Sequence, residues 1–182
     1  TTVDASSVVI VTVAIDDSGS APTINLPTAT GLTFAQIGST FRNANNFSIA
    51  IFRAYTTSSL GSTVITGTWT ISEDWNMHAT DFTGTAGTAG NNGSDAIGTT
   101  NTATGTLHAT SVTVTVTSSS HDNSKYYGAA SFQKATSITL TQGANYTLLK
   151  QAWDGAWTAL LTEISTSAVT PAADTVVNAT AS

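Results

Sequence analysis

"VVIVTVAID", residues 8–16, decides the fold class. Side chains of an extended chain alternate between two faces, so Val9, Val11, Val13 and Ile15 share one face and Val8, Ile10, Thr12 and Ala14 the other. A strand that is apolar on both faces has no side to give to water. It belongs in the middle of a sheet that is covered on both sides. The same period of two runs through "FSIAIFRAY" (47–55), "STVITGTWTIS" (62–72) and "SVTVTVTS" (111–118). In the last of these Val112, Val114 and Val116 point inward and the threonines outward. "KYYGAASFQ" (125–133), "TSITLT" (136–141), "TALLTEIST" (158–166) and "DTVVNAT" (174–180) complete the strand set. A helical period is scarce, and "NMHATDF" (76–82) is the best short helical candidate.

Turn chemistry separates these segments: "DDSGSAP", "RNANN", "TSSLGS", "SSSHDNS" and "WDGAW". The Gly-, Thr- and Asn-rich stretch 83–106 reads as a long surface loop or crossover, with Ala96-Ile97 as its apolar anchor. Splitting the chain there would leave each half with too few strands to close a core. The expectation is therefore one all-β domain over residues 1–182, a single antiparallel β-sandwich of jelly-roll or immunoglobulin-like kind.

Composition agrees with that class and narrows the function. Of 182 residues, 40% are hydrophobic and 9% charged, whereas a soluble domain carries about 25% charged residues. Threonine and serine take the place of charge, and threonine and valine suit a pleated, half-buried surface. The net charge is −6 with only 5 Lys and Arg, so no basic stripe offers itself to nucleic acid or to an anionic membrane. No stretch is long and apolar enough to span a bilayer, and "SSVVIVTVAI" alternates like a strand rather than reading as a signal peptide. The chain has no cysteine, which removes disulfides and thiolate zinc sites. Low charge means little repulsion between neighbouring copies, which suits a protein packed closely against others of its kind.

One local phrase occurs twice. "TGLTFAQIG" (30–38) and "QGANYTLLK" (142–150) each place a Gly three residues before an aromatic flanked by Thr. Each follows a short alternating run containing Ile, "PTINLPTA" and "TSITLT". The reading is a corner: the chain turns at the Gly and re-enters with the aromatic facing inward.

The order of phrases resembles a β-sandwich module of tailed-phage structural proteins that is also found in secreted bacterial multidomain proteins. The residues that carry the resemblance are "VVIVTVAIDDSGSAP", the corner "TGLTFAQIG", the strands "SIAIFRAY" and "STVITGTWTIS", the turn "DFTG", the anchor "SDAIGTT" and the second corner "GANYTLLKQ". The resemblance spans nearly the whole chain. It implies a structural role on a virion or a cell surface, with other copies and other virion proteins as partners. It carries over no catalytic residue and no cofactor.

Residues able to do chemistry are sparse. His78, His108 and His121 share no ligand spacing. Asp16 and Asp17 close the first strand with oxygens that a calcium ion could use, but no D-x-D-x-D-G loop surrounds them, and a turn is the better reading. Neither a paired-carboxylate pattern nor a G-x-S-x-G elbow is present, so a non-enzymatic role is expected. Trp153 and Trp157, in "WDGAW", are candidates for stacking on a sugar, which would make cell-surface glycans a partner. Asn46, Asn92, Asn145 and Asn178 head N-x-S/T sequons that are used only where the source glycosylates.

The terminal segments suggest how copies could join. Val9, Val11 and Val13, or Thr175, Val176 and Val177 in the tail, are candidate assembly residues that would add a strand to a neighbour's exposed sheet edge. The expected setting is a virion. The alternatives are an extracellular or cell-surface filament built by strand addition, and a carbohydrate-binding module.

Overall fold

The computed structural model describes residues 2–17, 19–43, 47–84, 91–98, 100–102, 111–116, 124–133, 138–155, 158–166 and 175–181, with the backbone alone at 91, 116 and 175–181. The described chain is all β apart from one 3-10 turn at Asn91–Ala96. Its strands are β1 (Ser7–Asp16), β2 (Ala35–Asn43), β3 (Phe47–Thr56), β4 (Trp75–Thr83), β5 (Ser111–Val116), β6 (Tyr127–Gln133), β7 (Leu140–Gln142), β8 (Tyr146–Trp153), β9 (Thr158–Ser165) and β10 (Thr175–Ala181). They form an antiparallel β-sandwich of three sheets. Sheet I has the order β2-β3-β1-β4, sheet II β6-β9-β8 and sheet III β5-β10-β7.

β1 is buried at every position, as its two apolar faces require. It pairs with β3 along one edge and with β4 along the other. Val9, Val11, Val13 and Ile15 face a core that also holds Ile24, Leu32, Phe34 and Phe52. Each such aliphatic side chain contributes about 1.5–3 kcal/mol on full burial. The opposite face of β1 turns toward sheet II, where Ala14 and Phe47 pack on Leu160. β9 is the counterpart of β1 in sheet II. It lies between β6 and β8 and is buried at all positions except a half-buried Ile164. Leu160 looks toward sheet I, while Ala159 and Leu161 join Phe132, Ile138 and Leu140 against sheet III. Two doubly buried strands thus form the axis of the stack.

The outer face of sheet I is closed by irregular chain rather than by another sheet. Segments 19–34 and 57–74 lie over it, with Leu60, Ile65, Trp69 and Ile71 packed on the β1 valines. They pair through isolated bridges, Ile24 to Trp69 and Thr28 to Thr66, and through side-chain hydrogen bonds, without forming a strand ladder. The alternation of residues 62–72 is therefore real, with Ile65, Trp69 and Ile71 turned inward, but the segment is not the strand it was expected to be. The helix expected at 76–82 is strand β4.

Of the two corners, the first turns as expected. Gly31 has φ 80° and Phe34 enters the core. In the second, Tyr146 is buried, but the left-handed residue is Asn145, with φ 66°. Among the described glycines of the long Gly/Thr-rich stretch, Gly93 is the most closely packed. Its backbone backs onto Tyr55 and Val8, so that an added Cβ would lie 3.2 Å from the Tyr55 Cβ.

Candidate functional site

The polar side chains with unusual environments lie between the sheets. Five hydrogen bonds cross from sheet I and its flanks to sheet II. Thr12 Oγ1 and Tyr127 OH are 2.8 Å apart, and Thr162 Oγ1 and His78 Nδ1 are 2.7 Å apart. Asn76 donates to the Thr158 carbonyl at 2.7 Å, the Thr158 hydroxyl donates to the Asp74 carbonyl at 3.1 Å, and Gln133 donates to Asp16 at 2.8 Å. Strand register explains the set. Thr12 and His78 are direct partners across β1 and β4, and Ala14 and Asn76 are the next pair on that face. The face of β4 that meets sheet II is therefore polar. Burial lowers the His78 pKa, and the nearby Lys150 charge lowers it further, so the imidazole is neutral at neutral pH. Burial pushes the Tyr127 hydroxyl up to about 12, against the opposing effect of its bonds to Thr12 and Thr162. These groups bind the two sheets to each other.

Asp17 is spent in the same way. Arg42 Nε and Nη2 donate to its two carboxylate oxygens at 2.8 and 2.9 Å, and Ser48 donates at 2.7 Å. Burial raises its pKa, but the hydrogen bonds from Arg42 and Ser48, the Arg42 charge and the Gly19 amide outweigh this and hold it below 3.8. Asp16 accepts from Gln133. At the calcium candidate formed by Asp16 and Asp17 both carboxylates already accept hydrogen bonds. The Arg42 guanidinium takes both oxygens of Asp17, and among the described residues no three His, Asp or Glu side chains are arranged to hold a metal. Asp16, Glu73, Asp74 and Asp154 nevertheless collect at this end of the sandwich. Burial first, then the charges of Asp154, Asp16 and Glu73, raise the Asp74 pKa.

A second buried group lies between sheets II and III. Glu163 is 1% exposed and accepts a 2.8 Å bond from the Gly143 amide in the β7–β8 turn. Burial raises its pKa against the lowering effect of that bond. Tyr146 and Tyr126 share this region with Val114. Burial, then the charges of Glu163 and Tyr126, push the Tyr146 hydroxyl up to about 12. That hydroxyl is buried without a hydrogen-bond partner among the described residues. No spacing or motif in the sequence marks Glu163. The signal was its place inside "TALLTEIST", where a charge interrupts an otherwise neutral strand.

The candidate assembly residues lie on strands that pair within the chain. Val9, Val11 and Val13 are at most 1% exposed, and both edges of β1 are taken by β3 and β4. β1 therefore has no edge to offer a neighbour. Thr175, Val176 and Val177 belong to β10, which lies between β5 and β7 in sheet III and pairs at these three positions with Val116, Thr115 and Val114. Among the described residues β7 pairs only with residues 179–181, so at residues 175–177 the described pairing takes one edge of β10. Trp153 is 36% exposed on the edge strand β8, while its expected companion Trp157 lies outside the described residues. Trp75, 47% exposed, rests on Trp69 with ring centroids 5.0 Å apart. Among the sequons, Asn145 is exposed in the β7–β8 turn, Asn92 is half-buried in the 3-10 turn, Asn178 lies on β10, and Asn46 lies outside the described residues. His108 and His121 also lie outside them.

The chain that covers sheet I is different in kind. No charged residue or histidine occurs between Asp17 and Arg42, or between Arg53 and Glu73. Hydroxyls and amides tie this cover to itself. Thr70 Oγ1 accepts from the Thr23 amide at 2.9 Å and Thr68 Oγ1 from the Asn25 side chain at 3.1 Å. Two large apolar side chains, Leu26 at 51% and Val64 at 78%, stand out from it into solvent. Compared with family models, with curated proteins and with solved structures, the chain matches none of them.

Proposed function

We propose that the chain is a structural subunit of a tailed-phage virion, packing in many copies as a capsid decoration, tail or appendage protein through non-covalent contacts. The observation that carries this reading is the placement of charge. His78, Asp17 and Glu163 are consumed as struts between strands and sheets, while the chain between Asp17 and Arg42 and between Arg53 and Glu73, which covers sheet I, carries no charge. A catalyst needs titratable groups that reach a substrate. A packing subunit needs neutral surface that neighbours can bury without stranding a charge. The virion setting is supported by the order of phrases shared with the phage module. The occupied edges of β1 weigh against a filament built by adding that strand to a neighbour.

Native mass spectrometry and negative-stain microscopy of the protein isolated from its source test this reading. Copies on capsids or tails at the unmodified mass are the expected result. Free filaments with added glycan mass would point to a cell-surface appendage instead. A second reading, a carbohydrate-binding module, is favoured by the exposed Trp153 alone. Binding on a glycan array that is lost in Trp153→Ala would establish it.

A further inference from the structure

We infer that the interface between sheet I and sheet II is a joint, along which the chain opens into two consecutive halves that each keep their own fold. The inference stands apart from the structural-subunit reading and concerns how the molecule moves.

Chain order separates the halves. Sheet I is built from strands between residues 7 and 83, and sheets II and III from strands between residues 111 and 181. Every ladder and every isolated bridge of the described residues closes within one of these halves. The chain crosses from one half to the other between β4 and β5. The Gly93 turn of that crossing rests on Tyr55 and Val8, both of the first half. Each half also closes a core from its own residues. Leu60, Ile65, Trp69 and Ile71 of the irregular cover shut in the β1 valines. Phe132, Leu140 and Leu161 pack together between sheets II and III. The cover thus supplies what a count of strands in the first half leaves missing.

The seam between the halves has a different make-up. β9 presents Thr158, Leu160 and Thr162 to it in alternation, and β4 presents Asn76 and His78. Its apolar contacts include Ala14 and Phe47 on Leu160, and Phe82 edge-on to Tyr127 with ring centroids 6.1 Å apart. Polar contact comes from the five hydrogen bonds between the sheets, each of which involves a side chain. Water replaces such bonds when the groups part, so their net hold on the seam is modest. Opening either core instead exposes aliphatic surface that water does not compensate. Interfaces between units of one chain are more polar than cores, and relative motion across them is the default. Opening of a native protein follows boundaries of this kind, with the units on either side remaining folded.

The chain has no cysteine, so one introduced thiol reports opening at one place. Neighbouring residues of a strand face opposite ways, which supplies matched pairs. Ala14 and Leu160 face the seam, whereas Val13 and Leu161 face the core of their own half. All four are 0% exposed. Ala14→Cys, Val13→Cys, Leu160→Cys and Leu161→Cys are each treated with dithionitrobenzoate without denaturant, after circular dichroism has shown the wild-type fold. Thr158→Cys and Ala159→Cys form a second pair on β9, with Thr158 toward the seam and Ala159 toward sheet III, in case a truncated leucine unfolds the chain. The expected result is labelling at least about tenfold faster at each seam position than at its core neighbour. Equal rates within both pairs would overturn the inference, because the seam would then open only with global unfolding. A difference within one pair alone would overturn it too, since one half would then unfold whenever the seam opens. Neither result bears on whether the chain is recovered on particles.

Discussion

Thr162 and His78 meet across the two central sheets, with the hydroxyl oxygen 2.7 Å from Nδ1. A neutral imidazole satisfies this contact with either tautomer, whereas an imidazolium must place a charge between packed sheets. Burial and Lys150 lower the His78 pKa below 6.5 in the folded chain. The unfolded chain therefore binds the proton first, and stability falls as pH drops below about 6.5. The loss levels off once the pH is below the folded value. Its slope stays within about 1.4 kcal/mol per pH unit for one proton. Melting temperatures between pH 7.5 and 5 should show this decline in the wild type. His78→Gln should remove that decline, so that the stability difference between wild type and variant changes across this range while the opposite contribution of Glu163 stays common to both.

A second titration lies further into acid. The Asp17 carboxyl is held below 3.8 by Arg42 and Ser48 against the cost of its burial. Its contribution is present above 3.8 and is lost as pH falls through the lower folded value. Asp17→Asn keeps the shape and removes the charge. The Arg42 side chain is 34% exposed and can rehydrate, so the cost should be about 2 kcal/mol rather than that of a fully buried pair. Chemical denaturation at pH 7 measures it. A change below about 0.5 kcal/mol would mean that the pair only offsets its own desolvation.

Legibility in the sequence followed the hydrophobic pattern and stopped where burial is polar. β1 was readable because both of its faces are valine and isoleucine, and β5 because valine alternates with threonine. β4 was not. The residues it turns toward sheet II include Asn76 and His78, held there by hydrogen bonds to Thr158 and Thr162. No apolar alternation marks such a strand, so its short Met–Ala–Phe spacing read as a helical turn. Segment 62–72 failed in the opposite way. Its alternation records one buried face, but a segment can bury one face as a cover without joining a sheet ladder. The struts at His78 and Glu163 were invisible for a related reason. Their partners are separated by |i−j| of 84 and 20 residues and meet only through folding.

Glu163 is a liability at neutral pH. Its folded pKa is raised above 4.5 by burial, so the folded chain holds the proton more tightly than the unfolded one, and stability declines as pH rises from about 4.5 through the folded value. Glu163→Gln keeps an acceptor for the Gly143 amide without the charge, and should stabilise the fold at pH 7 by about 1 kcal/mol. Glu163→Ala should destabilise instead, because it leaves that amide unpaired over a cavity. The contrast between the two variants in urea denaturation separates the cost of the charge from the value of the hydrogen bond.

The neighbouring Tyr146 gives a related test. Its hydroxyl is buried without a partner among the described residues, and such a group forfeits its hydration on folding. Tyr146→Phe should therefore be neutral or stabilise by up to about 1 kcal/mol, and the ring should continue to pack with Tyr126 and Val114. A loss above about 1 kcal/mol in urea denaturation would show that the hydroxyl makes a bond the described residues do not contain.

The two corners should respond in opposite ways to the same kind of change. Gly31 sits at φ 80°, and an added Cβ would fall 2.8 Å from the Leu60 Cδ2. Gly31→Ala should thus combine left-handed backbone strain with displacement of a core-contacting leucine, a cost of about 2 kcal/mol or more. Asn145 sits at φ 66° in the second corner, is exposed there, and already bears the strain that Gly31 avoids. Asn145→Gly relieves it at the expense of a freer unfolded chain, so the net change should stay within about 0.5 kcal/mol of zero. Thermal denaturation of the two variants side by side checks both. Equal, small effects would mean that the first corner is not held by its glycine and that the repeated phrase shares only its buried aromatic.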